Sequence, residues 1–205
     1  KKSNILFNGY KELKKVWHQL NELKQLKIFL LSFFFYTMGV QTVMYLAALF
    51  GEKELKLESG QLIVTILIIQ FVAIAGAYLF SSLSSKFGNI KALLLAIILW
   101  IGICIGAYFV YSAMEFYLIA FCVGMVMGGI QSLSRSTYSK MLPPTKDHAS
   151  FFSFYDIMEK TGIVLGTASY GLIEELTGSM RDSIIALILY FLAGMILLLL
   201  ISKKK

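Results

Sequence analysis

Cysteine, proline and charge are all scarce in this chain. The two cysteines, Cys104 and Cys122, sit inside apolar runs, which excludes a disulfide-stapled scaffold. Two prolines exclude a collagen-like or polyproline-rich protein. Only 15% of the 205 residues are charged, well below the usual share of a soluble domain. His18 and His148 lie outside the apolar runs, and neither an HExxH motif nor a Cys/His pair occurs within them. No metal or cofactor is therefore expected. What the chain does have is apolar surface: 58% of its residues are hydrophobic and 14% aromatic, and the mean hydropathy is +0.73. Disorder is excluded by the same numbers. The lipid bilayer is the expected solvent.

Five runs free of Asp, Glu, Lys and Arg are long enough to span a membrane: Ile28 to Gly51, Ser59 to Ser85, Ala92 to Met114, Phe116 to Ser134, and Ser183 to Ser202. A sixth segment, Ala149 to Ile173, has the length but holds Asp156, Glu159 and Lys160. Leaving it out would give an odd number of spans, so it is counted. The runs are apolar on all faces and too long for barrel strands, so the fold is helical. The sequence thus predicts an all-α membrane protein of six transmembrane helices, at about 28–50, 61–85, 92–112, 116–138, 150–174 and 183–202. An amphipathic cytoplasmic segment, 1–27, precedes them and a Lys tail, 203–205, follows.

Lysine and arginine set the expected orientation. Lys1, Lys2, Lys11, Lys14, Lys15, Lys24 and Lys27 precede the first span. Lys86, Lys91, Arg135, Lys140, Lys146 and the Lys203–Lys205 tail fall on the same side. The other side holds Lys53, Lys56 and Arg181 against Glu52, Glu54, Glu58, Glu115, Glu174, Glu175 and Asp182. Positive residues stay inside, so both termini are expected in the cytoplasm. The net charge of +7 is then a topology signal, and nucleic acid is not an expected partner. No signal-peptide core follows the first lysines. An opening Lys1 in place of Met leads us to expect a fragment or processed product. Leu13, Val16, Trp17, Leu20, Leu23 and Leu26 recur at helical spacing. That pattern fits a helix on the cytoplasmic leaflet or one packed under the bundle.

Six spans divide into two sets of three, which must run in opposite directions. Gly39-Val40-Gln41-Thr42 in the first span is echoed by Gly129-Ile130-Gln131-Ser132 in the fourth. A 3+3 inverted repeat, with a binding site near the midplane, is the build of one large transporter class. Polar groups at that depth are costly and mark candidate sites. In the fifth span, Asp156 lies about 10 Å deep and Lys160 about 16 Å. The two are i, i+4 and could pair, leaving Glu159 to be neutralised by a proton, a substrate cation or Arg135. Gln41, Gln131, Tyr155, Glu159 and Lys160 are the candidate substrate-pathway or coupling residues. Arg135 and Asp156 are the candidate cytoplasmic gate or structural ion pair. Gln70 is expected to bridge helices by hydrogen bonding, and Gly102/Gly106, Gly124/Gly128 and Gly162/Gly166 to let helices approach closely.

Glu115-Phe116-Tyr117, then Gly128-Gly129-Ile130-Gln131-Ser132-Leu133-Ser134-Arg135-Ser136, then Phe151-Phe152-Ser153-Phe154-Tyr155-Asp156 with Lys160 follow a known pattern. So do Tyr36, Gly39-Val40-Gln41-Thr42, Gln70 to Ile74, and Leu176-Thr177-Gly178-Ser179 with Arg181. The chain resembles the C-terminal half of the vacuole-effluxer-like branch of the major facilitator superfamily, which includes autophagy-related vacuolar amino-acid exporters and bacterial relatives. The resemblance implies a secondary transporter moving a small polar solute, an amino acid among the candidates, by alternating access with protons as a candidate coupling ion. It implies a missing N-terminal six-helix half in the same chain, or a homodimer, and a bacterial inner (plasma) membrane. Two departures stand out: Met38 replaces the usual Asp before the glycine, and Ser81 to Gly88 lacks the acid of the family's Gly-x-Leu-Ala-Asp-Arg-x-Gly loop. Those losses keep open a non-transporting scaffold that binds a partner. An enzyme is not expected, because Asp156 and Glu159 lack a separate nucleophile or metal ligand.

Overall fold

A computed structural model of the chain describes residues 5–144 and 147–202. Lys1, Lys2, Lys146 and the Lys203–Lys205 tail lie outside the described residues, as do the side chains of Lys11 and Leu13. Among the described residues, seven helices follow one another: α1 Ile5–Glu22, α2 Lys24–Leu55, α3 Ser59–Phe87, α4 Asn89–Tyr108, α5 Ala113–Met141, α6 His148–Thr177 and α7 Met180–Ser202.

Local chemistry explains where they stop. The α2 C-cap, Lys56, adopts a left-handed conformation with φ of 53°. A single residue, Gly88, turns α3 into α4 with φ of 87°, a value that favours a residue without Cβ. Gly178 caps α6 in the αL region, its N–H bonding the Glu174 carbonyl. Capping boxes open α3 through Glu58 and Gln61, and α5 through Ser112 and Glu115. The backbone N–H groups of Tyr111 and Ser112, with the Ser112 side chain, hold the exposed Glu115 carboxyl below its ordinary range.

Short connections make α2 to α7 alternate in direction, and hydrogen bonds mark two ends. At one, here the near end, Asn89 at the start of α4 meets Thr137 at 3.1 Å near the end of α5. At the far end, Arg181 at the start of α7 bonds Glu54 near the end of α2 at 3.2 Å and the Tyr108 carbonyl that ends α4 at 2.6 Å. Lys53 and Glu174 join α2 to α6 at the same end, 3.3 Å apart.

The bundle's principal pairings are α3 with α5, α2 with α7 and α6, and α4 with α7 and α5. Trp100 of α4 stacks on Phe191 of α7 at 5.6 Å, and Phe191 fills the space left by Gly39 of α2. Of the aromatic run, Phe33 and Tyr36 are buried and Phe34 and Phe35 half-buried. The glycine expectation holds in part. A Cβ on Gly124 or Gly128 would strike the α3 backbone at Ile69 and Ala73, and one on Gly166 would strike Thr42 and Met38 of α2. Gly162 makes ordinary contacts only, with Met38 at 3.5 Å. Gly102 corrects the expectation outright: it lies on an exposed face of α4, with nothing near its missing Cβ.

Among the described residues, five helices are long and apolar enough to cross a membrane: Lys24–Leu55, Ser59–Phe87, Asn89–Tyr108, Ala113–Met141 and Met180–Ile201. The sixth, α6, has 30 residues and packs against α2 and α7, but its charges set it apart. Helix α1 rests on α6 and α2. Val16 and Leu20 are buried there, and the Trp17 ring sits 6.1 Å from Phe154. The described part of this amphipathic segment thus turns Val16 and Leu20 to the bundle, while Trp17 stays half exposed.

Candidate functional site

Helices α2, α5 and α6 line a half-open cavity of about 290 Å³. Helix α2 lines it with Phe33, Tyr36, Thr37, Val40 and Gln41, one face at helical spacing. Helix α5 adds Ile130, Gln131, Ser134 and Arg135, and α6 adds Tyr155 and Glu159. Because residues four apart share a helix face, Tyr155 and Glu159 turn inward together. Asp156 and Lys160, one step around, share the exposed side.

Inside the cavity the polar groups are coupled across helices. The Gln41 amide Nε2 donates to Glu159 Oε1 at 2.7 Å. Tyr36 and Ser134 hydroxyls meet at 2.7 Å, and Ser134 Oγ also donates to the Ile130 carbonyl. A serine has one hydroxyl proton, so Tyr36 is the donor of that pair. The Tyr155 ring stacks on Phe33 at 4.0 Å and lies 4.9 Å from Tyr138, whose hydroxyl bonds the Phe151 carbonyl at 2.7 Å. This aromatic packing fixes Tyr155, and with it the pitch of α6 at the site.

Arg135 and Asp156 meet at 2.8 Å, with both side chains more than half exposed. The guanidinium also lies 5.7 Å from the Tyr155 ring and 5.9 Å from Phe152. A second, wider groove continues towards the near end along Ser132, Ser136 and Ser139 of α5, with Phe152 opposite. The two spaces share Gln131 and Arg135. The Arg135–Asp156 pair therefore stands at their junction.

The expected i, i+4 pairing of Asp156 with Lys160 does not form, because Asp156 pairs with Arg135 on α5. Lys160 lies outside the cavity and is exposed, and among the described residues its ammonium has no hydrogen bond or ion pair. Gln70 is likewise exposed on α3 and bridges no helices among the described residues. Among the described residues no group of three His, Cys, Asp or Glu could hold a metal. Sequence reasoning missed Ser134 and gave Tyr36 no role. The signal lay in the spacing: Ser134 follows Gln131 by three, and Tyr36 with Val40 shares the face that Gln41 borders.

A family model, described as "Vacuole effluxer Atg22 like", matches residues 1–205. The chain is 30% identical to the "Uncharacterized MFS-type transporter YxiO" of Bacillus subtilis over 100% of its own length and 47% of that protein's. It is 30% identical to autophagy-related protein 22 of Eremothecium gossypii over 91% of the chain and 39% of the relative. It is 29% identical to autophagy-related protein 22 of Cryptococcus neoformans over 83% of the chain and 36% of the relative. The chain spans less than half the length of these curated relatives.

Proposed function

The chain belongs to the vacuole effluxer Atg22-like family, whose members are transporters rather than enzymes, and on that premise we propose that it forms one six-helix half of a secondary transporter moving a small polar solute by alternating access. The observation that carries this reading is the sidedness of the bundle. Gln131, Arg135, Asp156 and Lys160 are exposed together on the α5–α6 side. Along their apolar stretches, α4 and α7 expose Leu95, Ile98, Leu189, Ile196 and other hydrocarbon. A polar face cannot sit against lipid, so it faces water, solute or protein. Relatives of about twice this length support a second six-helix bundle facing it, in the same polypeptide or as a homodimer.

Helix α6 is the sixth span in this reading, with Glu159 turned to the cavity and Asp156 and Lys160 on its exposed side. The 3+3 inverted repeat is supported by the pairings: exchanging α2, α3, α4 for α5, α6, α7 carries α3–α5 onto α6–α2, α2–α7 onto α5–α4, and α3–α4 onto α6–α7. The Lys-rich near end lies in the cytoplasm, of a bacterial inner membrane, with segment 1–27 bridging from the preceding bundle. Gln41, Gln131, Tyr155 and Glu159 line the solute path, and Lys160 faces it from the exposed side of α6. The Arg135–Asp156 pair closes the cavity from the near-end groove. Amino acids are the first solutes to test, and Glu159 is the group to test for proton coupling. The experiment is exchange of radiolabelled amino acids in liposomes holding the full-length polypeptide. Saturable exchange that falls in Glu159→Gln supports the reading; no exchange of any polar solute overturns it.

A further inference from the structure

We infer that Lys160 of α6 forms an ion pair with an Asp or Glu on a membrane-spanning helix of the second bundle in the same polypeptide, and that this pair sets how the two bundles meet. The inference rests on the two-bundle reading and adds what Lys160 meets there. Lys160 is exposed, and among the described residues its ammonium has neither a hydrogen bond nor an ion pair. It lies about 16 Å along α6 from the start of the expected span. Lysines near helix ends snorkel to the interface, but this one is far from an end. Held against hydrocarbon at that depth, an unpaired ammonium is costly, so a group of opposite charge has to meet it.

These residues do not supply that group. Of their twelve acids, Asp156 is bound to Arg135 at 2.8 Å, and Glu159 turns to the cavity and accepts from Gln41 at 2.7 Å. The others lie in α1 or at helix ends. A second copy would bring the same acids in the same places, so it too offers no free carboxylate at the depth of Lys160. The partner is therefore a different bundle, and the Bacillus relative, of which this chain covers 47%, has the length to hold one. The surface around Lys160 suits a helix. Ser153, Asp156, Lys160, Val164, Ala168 and Gly171 are all exposed and recur at three- and four-residue spacing along α6, the stripe that one packed helix presents to another. A charge within such a seam is matched in one alignment only, and fixing register is the best-attested use of a polar pair between helices.

The test treats the full-length polypeptide in lipid nanodiscs with dicyclohexylcarbodiimide, which enters bilayers and joins an amine to a carboxylate only where the two touch. Digestion and mass spectrometry locate the amides. The expected product joins Lys160 to an Asp or Glu outside these 205 residues, at the mass of a single polypeptide, and is absent from Lys160→Arg. Because arginine keeps the charge, Lys160→Arg should unfold close to the wild-type temperature. Lys160→Met strands the carboxylate and should unfold at a lower one. Replacing that carboxylate by its amide as well should recover part of the loss. Three results each overturn the inference: no amide at Lys160 although other carboxylates are modified, an amide between two copies or within these residues, or a Lys160→Met variant as stable as wild type. Solute exchange in liposomes separates the two readings. Exchange without an amide at Lys160 sinks the pair and leaves the transporter standing, whereas the absence of all exchange sinks the transporter itself.

Discussion

The Gln41 amide donates to the Glu159 carboxylate at 2.7 Å, tying α2 to α6 across the cavity. The two residues are 118 positions apart. The bond ties the Glu159 carboxylate beside the space that Tyr36 and Tyr155 also line. A hydrogen bond to a charged acceptor is worth about 1.5–3 kcal/mol. Gln41→Ala should therefore weaken solute affinity by about tenfold or more, while Gln41→Asn, with a shorter reach, falls between. Solute exchange as a function of concentration checks the order; wild-type affinity in Gln41→Ala would remove the bond from the site.

The Arg135–Asp156 pair should behave differently. With both side chains more than half exposed, its share of stability is at most about 1 kcal/mol. Asp156→Asn should then shift unfolding temperature little but change the rate of exchange, because the pair stands between cavity and groove. Arg135→Asp with Asp156→Arg should restore the wild-type rate if the pair itself is the barrier. A large loss of stability in Asp156→Asn, with exchange unaffected, would make the pair purely structural.

Tyr36 and Ser134 should respond unequally to loss of their shared bond. Tyr36→Phe leaves Ser134 still donating to the Ile130 carbonyl. Ser134→Ala instead strands the hydroxyl of Tyr36, which is 1% exposed. A stranded buried donor costs about 1–3 kcal/mol. Unfolding of the two variants in detergent should show Ser134→Ala as the more destabilised.

Gly128 and Gly102 provide a matched pair of glycines in neighbouring spans. A Cβ at Gly128 would run into the Ala73 carbonyl of α3, which backbone cannot easily yield, so Gly128→Ala should cost about 1–3 kcal/mol of overpacking. Nothing lies near the missing Cβ of Gly102, so Gly102→Ala should be neutral or stabilising by up to about 1 kcal/mol through helix propensity. Thermal unfolding distinguishes them. Equal effects would mean that the α3–α5 contact is looser than the geometry here.

Hydrophobic length, lysine asymmetry and the family motifs were readable in the sequence alone, since each depends on near neighbours along the chain. Apolar runs, a helical fold, the charged fifth segment and the transporter family all follow from such local signals. Even the inward turn of Glu159 was implicit, because residues four apart share a helix face and Tyr155 lies four before it. Which partner each polar group takes was decided by tertiary packing. Asp156 had Lys160 one turn away on its own helix, yet it pairs with Arg135 on α5, where the approach of two helices sets a 2.8 Å distance. Gln41 found Glu159, and Gln70 found no partner among the described residues, although both are glutamines in apolar spans. Gly128 touches backbone and Gly102 touches nothing for the same reason: helix periodicity assigns a residue to a face, but only the packing of other helices determines what that face meets.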